Sequence, residues 1–160
     1  MRKPDAQFNK VTDISPQFFI DNNLKGVILD VDNTLIGLDG KNLENVFEWI
    51  KSLQESNIKV CIASNSKNKK KISKFSSEVN IPFFILSCKP LKRGLKKALK
   101  ELDLKAEEVA EIGDQLFTDV LGAKRMGMFS ILTKPFTPEK HAISRFKRKI
   151  EQHYLDKINK

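Results

Sequence analysis

Short apolar runs rich in branched and aromatic residues recur along the chain at 26–30 (GVILD), 60–64 (VCIAS), 82–86 (PFFIL), 109–112 (VAEI) and 129–132 (FSIL). Each is too short for a helix and reads as a strand. Between them, Leu43, Val46, Phe47, Ile50 and Leu53 fall at spacings of three and four, as do Leu91, Leu95, Leu99 and Leu102. Such spacing gives a helix one apolar stripe and a charged back. A third helical segment at 68–78 is shorter and very basic. Ser15 followed by Pro16 offers an N-cap and a first-turn proline, predicting a short leading helix at about 14–23. In the tail, Ile143, Phe146, Ile150, Tyr154 and Ile158 share a helical face among Lys147, Arg148, Lys149, Lys157 and Lys160, predicting a basic amphipathic helix at about 142–158.

Strand and helix alternating in this way imply right-handed crossovers and a parallel sheet covered on both faces. The expected fold class is therefore α/β, a three-layer Rossmann-like arrangement with a five-stranded parallel sheet. Ligands of such sheets gather beyond the carboxyl ends of the strands, where the strand order reverses. No repeat, low-complexity tract or linker interrupts the chain, so residues 1–160 are expected to form one domain.

Length and composition agree. A chain of 160 residues can bury about 70% of the surface its unfolded form exposes, and needs no metal or disulfide staple. The formal charge of +9 favours polyanionic partners without choosing among nucleic acid, anionic membrane and phosphorylated metabolites. Cys61 and Cys88 lack CxxC spacing, which argues against a zinc cage or redox pair and fits a reduced cytosol. The opening MRKPDAQFNKVTD is too polar for a signal peptide, and no stretch reaches the roughly 18 apolar residues of a spanning helix.

Chemistry concentrates where the strands end. The first run closes in Asp30-Val31-Asp32-Asn33-Thr34-Leu35, the second in Ser64-Asn65-Ser66, and the fourth in Gly113-Asp114-Gln115-Leu116-Phe117-Thr118-Asp119. If the sheet is right, Asp30, Asp32, Asp114 and Asp119 converge, with Ser64 beside them. Two like charges about 4 Å apart repel by on the order of 4 kcal/mol at an effective dielectric of about 20, so a cation must sit among them. Hard oxygen donors without a nearby histidine suit Mg²⁺ better than Zn²⁺ and point to phosphate chemistry. A carboxylate can also attack phosphorus and split one difficult displacement into two easier ones.

These segments, with Lys89 before Pro90, resemble motifs I to IV of the haloacid dehalogenase (HAD) superfamily in order and spacing, from about Gly26 to Leu132. The GDQxxTD form and the KP third motif look most like the YqeG-type phosphatases of subfamily IIIA, a group similar to phosphatidylglycerophosphate phosphatases. The resemblance implies Asp30 as nucleophile and Asp32 as the general acid and base. It implies Ser64 and the Asn65 amide as phosphoryl holders and Lys89 as the neutralising cation. Asp114 would ligate Mg²⁺ with Asp30 and the backbone carbonyl of Asp32, while Asp119 binds or orients the metal shell. Spacings of Asp30 to Ser64 and Ser64 to Asp114 leave no room for a large cap domain, so an open site is expected.

The resulting expectation is a Mg²⁺-dependent phosphatase acting through phosphorylated Asp30, with phosphatidylglycerophosphate or a related lipid head group as substrate. The protein would be cytosolic, with the inner membrane surface a candidate peripheral location. A soluble sugar-phosphate or nucleotide phosphatase is the alternative, and a non-catalytic basic module for RNA or anionic membrane is the reading from another class. Receiver domains place a phosphorylated aspartate on the third strand, but here the third run ends Leu86-Ser87-Cys88-Lys89. Aromatic stacking motifs of single-strand RNA modules are lacking as well, which disfavours a nucleic-acid partner.

Overall fold

The computed structural model describes residues 3–160; Met1 and Arg2, part of the expected 1–160 domain, lie outside the described residues. Its strands are β1 (Ala6–Phe8), β2 (Gly26–Leu29), β3 (Lys59–Ala63), β4 (Phe83–Phe84), β5 (Val109–Gly113) and β6 (Phe129–Thr133). Its helices are α1 (Pro16–Asp21), α2 (Val46–Glu55), α3 (Lys69–Val79), α4 (Lys92–Leu102), α5 (Leu121–Met126) and α6 (Ala142–Ile158). The sheet is parallel throughout, in the order β1-β6-β5-β2-β3-β4.

Alternate residues of the central strands pack into two layers, as a sheet covered on both faces requires. Val27 and Leu29 meet Trp49, Ile50, Leu53 and Ile72 in one core, whereas Ile28, Cys61 and Ala63 meet Leu95, Ala98 and Ala123 in the other. Ser15 caps α1 by accepting from the Phe18 amide at 3.3 Å, with Pro16 in the first turn, as the sequence predicts.

The sheet has six strands rather than five. The added one, β1, holds three residues, too few for alternation to register as a pattern, and its position is set from a distance. Asp5 accepts from the Ser130 amide and hydroxyl at 2.8 and 2.9 Å and pairs with Lys124 at 2.6 Å, which pins β1 along β6. At the opposite edge β4 is shorter than the run 82–86. Pro82 has no N–H to give, and the chain then turns through left-handed backbone at Leu86 and Cys88. Helix α4 begins at Lys92 with Leu91 at its N-cap, so Pro90 lies before the helix. Cys61 is buried, whereas Cys88 is exposed on that turn.

The tail forms α6 and docks on the body, and its predicted apolar face divides in two. Tyr154 and Leu155 pack against Leu116, Phe117, Val120 and Leu132, while Ile143, Phe146 and Ile150 stay exposed.

Candidate active site

Asp30, Ser64 and Asp114 each follow the last residue of a strand, β2, β3 and β5 in turn, and Asp119 lies in the single π-helical turn Leu116–Val120. Because β2 lies between β3 and β5, the central strand delivers Asp30 to the middle of the group. Asp30, Asp114 and Asp119 each present a carboxylate oxygen, and these oxygens lie within 4.8 Å of one another in a buried cluster. Lys89 enters from the loop after β4. Its Nζ donates to Asp119 Oδ1 at 2.7 Å, to Glu111 Oε1 at 3.0 Å and to Asp30 Oδ1 at 3.2 Å.

Local structure fixes these positions. The Asn65 side chain clamps the Lys89 backbone from both sides, Oδ1 accepting from the Lys89 amide at 2.7 Å and Nδ2 donating to its carbonyl at 2.9 Å. Ser64 Oγ accepts from the Ser66 amide at 3.1 Å, a tight turn that leaves the Asn65 amide without an acceptor among the described residues. Gly113 permits the closest approach of all. A Cβ there would lie 2.1 Å from Asp119 Cγ, so only glycine lets the Asp119 carboxylate fold back beside the end of β5. Asp32 stands apart from the buried cluster at the half-exposed mouth, where Lys71 from α3 pairs with it.

Five buried carboxyls, Asp30, Glu111, Asp114, Asp119 and Glu151, face two cations, Lys89 and Arg148. Burial foremost, then the Asp119 charge, push the Asp30 carboxyl well above its usual range against the pull of Lys89. Burial likewise raises Asp114 to about 7 despite Arg148, and Glu111 to about 8 despite Lys89. For Lys89 burial works the other way, but Asp119, Asp30 and Glu111 outweigh it and hold the ammonium above the ordinary lysine range. This excess of acid over base, made only of hard oxygen donors, fits a divalent cation.

The sequence reading missed three contributors. Glu111 sits inside the apolar run VAEI and faces Lys89, and its Oε2 has no hydrogen-bond partner among the described residues. Arg148 of α6 pairs with the Asp114 carboxylate, donates to the Asp114 carbonyl at 2.6 Å, and is braced by Glu139 at 2.8 Å and Glu151 at 3.3 Å. Asn33, in left-handed backbone, bonds Thr137 through its side chain in both directions and ties the first motif to the segment leading into α6. A polar residue within a strand run, and an asparagine inside a tight loop, were signals available for two of these. Arg148 was one basic residue among many.

A cavity of 780 Å³ opens beside Asp114 between β1, β6 and α6, with Phe8, Leu132 and Leu155 on its apolar wall and Lys134 and Lys149 at its polar side. Between Asp30 and Ser64 the chain adds only a loop, α2 and β3, and between Ser64 and Asp114 only α3, β4, α4, a 3-10 turn and β5 with their connections. No cap domain is inserted at either place.

A family model described as mitochondrial PGP phosphatase matches residues 1–136. The chain belongs to this family. It is 36% identical over 158 residues to the probable phosphatase YqeG of Bacillus subtilis strain 168, covering 98% of this chain and 91% of that protein. Solved structures share the fold at lower identity. The D,D-heptose 1.7-bisphosphate phosphatase of B. bronchiseptica, complexed with magnesium and phosphate, superposes with a TM-score of 0.57 at 17% identity, over 81% of this chain and 99% of that one. The cobalt-bound deoxy-D-mannose-octulosonate 8-phosphate phosphatase of Haemophilus influenzae gives 0.54 at 20% identity, over 86% and 92%. As a member of the family, the chain is a HAD-type phosphatase that hydrolyses phosphomonoesters.

Proposed function

We propose that the protein is a Mg²⁺-dependent phosphatase that works through an aspartyl-phosphate on Asp30 and acts on phosphatidylglycerophosphate or a closely related phosphorylated lipid head group. The observation that carries the mechanism is the contact of Lys89 with Asp30 and Asp119 inside the buried carboxylate cluster. A carboxylate with a cation beside it can approach an anionic phosphate that would otherwise repel it.

Asp30 attacks phosphorus and the bond to the substrate's alkoxide oxygen breaks, while Asp32 gives that oxygen a proton. Its position at the exposed mouth, outside the cluster, suits an acid that must meet a leaving group. Asp32 then takes a proton from water, the hydroxide attacks phosphorus, and the Asp30–phosphorus bond breaks to release phosphate. Ser64 and the Asn65 amide hold phosphoryl oxygens, and Lys89 balances charge on Asp30 and the transferring group. A divalent cation bound by Asp30, Asp114, Asp119 and the Asp32 carbonyl would supply positive charge to offset the carboxylates and phosphoryl oxygens. Mg²⁺ is the proposed ion because every side-chain donor is a carboxylate oxygen.

The lipid substrate is supported by the family's description and by the absence of a cap over the mouth. Sugar phosphates named for the structural neighbours favour a soluble substrate as the second reading. One experiment addresses both. Phosphate release is measured with Mg²⁺ and with chelator, for the parent and Asp30→Asn, on phosphatidylglycerophosphate in detergent micelles and on soluble sugar phosphates. Metal-independent turnover, or full activity of Asp30→Asn, defeats the mechanism, and much faster turnover of the sugar phosphates defeats the lipid substrate.

A further inference from the structure

Seven large hydrophobic side chains are exposed among the described residues, and six of them lie on just two segments, those that follow β4 and β6. Leu86 and Leu91, 58% and 55% exposed, flank Lys89 in the loop after β4. Phe136 follows β6, and Ile143, Phe146 and Ile150, at 74%, 63% and 43% exposure, run along the first half of α6. Their spacing of three and four puts the three α6 residues in one stripe. The opposite face of the same turns carries Arg148 and Glu151 inward to Asp114 and Phe117, so this half of the helix is fastened at the mouth of the site with its apolar stripe facing out.

Charge identifies the occupant. Residues 140–160 hold seven lysines and arginines against two acids, Glu151 and Asp156. Glu151 is turned inward onto Arg148, and the exposed Arg145, Lys147 and Lys149 of the same turns have no ion-pair partner among the described residues. An apolar stripe edged by uncompensated cations is the pattern of a helix lying in the interface of an anionic membrane. A second copy of this chain would bring the same cations against themselves.

We infer that α6 docks on an anionic lipid bilayer, with Ile143, Phe146 and Ile150 in the headgroup region and Arg145, Lys147 and Lys149 against lipid phosphates. Leu86 and Leu91 stand at the other side of the mouth, so docking turns the carboxylate cluster toward the lipid. The inference deepens the lipid-substrate reading and rests on it for its purpose, but it is tested by vesicle binding and not by turnover of the lipid.

The test is co-sedimentation of the full chain with vesicles of phosphatidylcholine alone and of phosphatidylcholine mixed with phosphatidylglycerol. Binding is expected only to the anionic vesicles, and the triple variant Ile143→Ser, Phe146→Ser, Ile150→Ser is expected to lose about tenfold or more of it. Hydrolysis of soluble p-nitrophenyl phosphate by that variant should match the parent, which shows an intact fold and site. Failure of the parent to bind, or equal binding by the variant, overturns the inference. A parent dimer that the triple variant converts to monomers, with vesicle binding unchanged, overturns it in favour of a self-interface. Hydrolysis of phosphatidylglycerophosphate in detergent micelles reports separately on the substrate, so the two readings can fail independently.

Discussion

Arg148, on the C-terminal helix, is paired with Asp114 at the tip of β5, 34 residues earlier in the chain. The pair joins α6 to the carboxylate cluster and offsets one of its buried charges.

Arg148→Met should therefore destabilise the metal-free protein, by about 2 kcal/mol for the loss of a charged hydrogen bond to a buried group. A divalent cation on Asp114 would offset part of that loss. Melting curves in chelator and in Mg²⁺ check this: the difference between parent and variant should be clearly larger in chelator.

Asp32→Asn should lower turnover of an alkyl phosphate by about 10²–10⁴-fold, the usual contribution of a placed general acid and base. The first step on p-nitrophenyl phosphate should suffer far less, because that leaving group departs without a proton. Single-turnover release of nitrophenol from the two proteins measures the contrast, and equal losses on both substrates would falsify the acid role.

Glu111 sets a pH dependence whose sign follows from its raised value. Its carboxyl stands at about 8 in the folded protein against an ordinary 4.5. Between these values the folded state holds a proton that the unfolded chain has released, so stability from this group falls as pH rises through the window and levels off above it. Asp114, at about 7 against 3.8, acts in the same direction. Glu111→Gln should flatten the fall, and denaturant midpoints of parent and variant taken in chelator from pH 5 to about 9 will show whether it does.

Gly113→Ala should displace Asp119 from Lys89, because the new methyl would lie 2.1 Å from Asp119 Cγ. Overpacking of this kind costs about 1–3 kcal/mol. Activity should fall well beyond what that loss explains, since the Lys89 ammonium loses its nearest partner. Turnover measured well below the melting temperature separates the two effects.

How much of this was legible in the sequence depends on how far apart the interacting residues lie. Asp30, Ser64 and Asp114 stood out because each is polar where an apolar run stops, and strand ends in a parallel sheet share one side. Helices α2, α4 and α6 were readable from spacing alone. Glu111 was hidden because alternation in a strand says which face a side chain takes, not that a lysine 22 residues earlier meets it there. The contacts of Arg148 depend on where α6 lands after the loop from β6, which no local pattern encodes. Asn65 was read through its backbone amide, while its side chain proved to hold the Lys89 backbone. The strand β1 escaped because its pairing is secured by Asp5 reaching Ser130, 125 residues away.

That outermost strand has a second consequence. With β1 in place, β6 spends its backbone donors and acceptors on both sides, and β4 closes the far border with only two residues. A chain stripped of residues 3–8 would offer β6 as a five-residue template on which neighbouring molecules could polymerise. Three residues at the margin thus cover an edge that would otherwise stand open to self-templated growth.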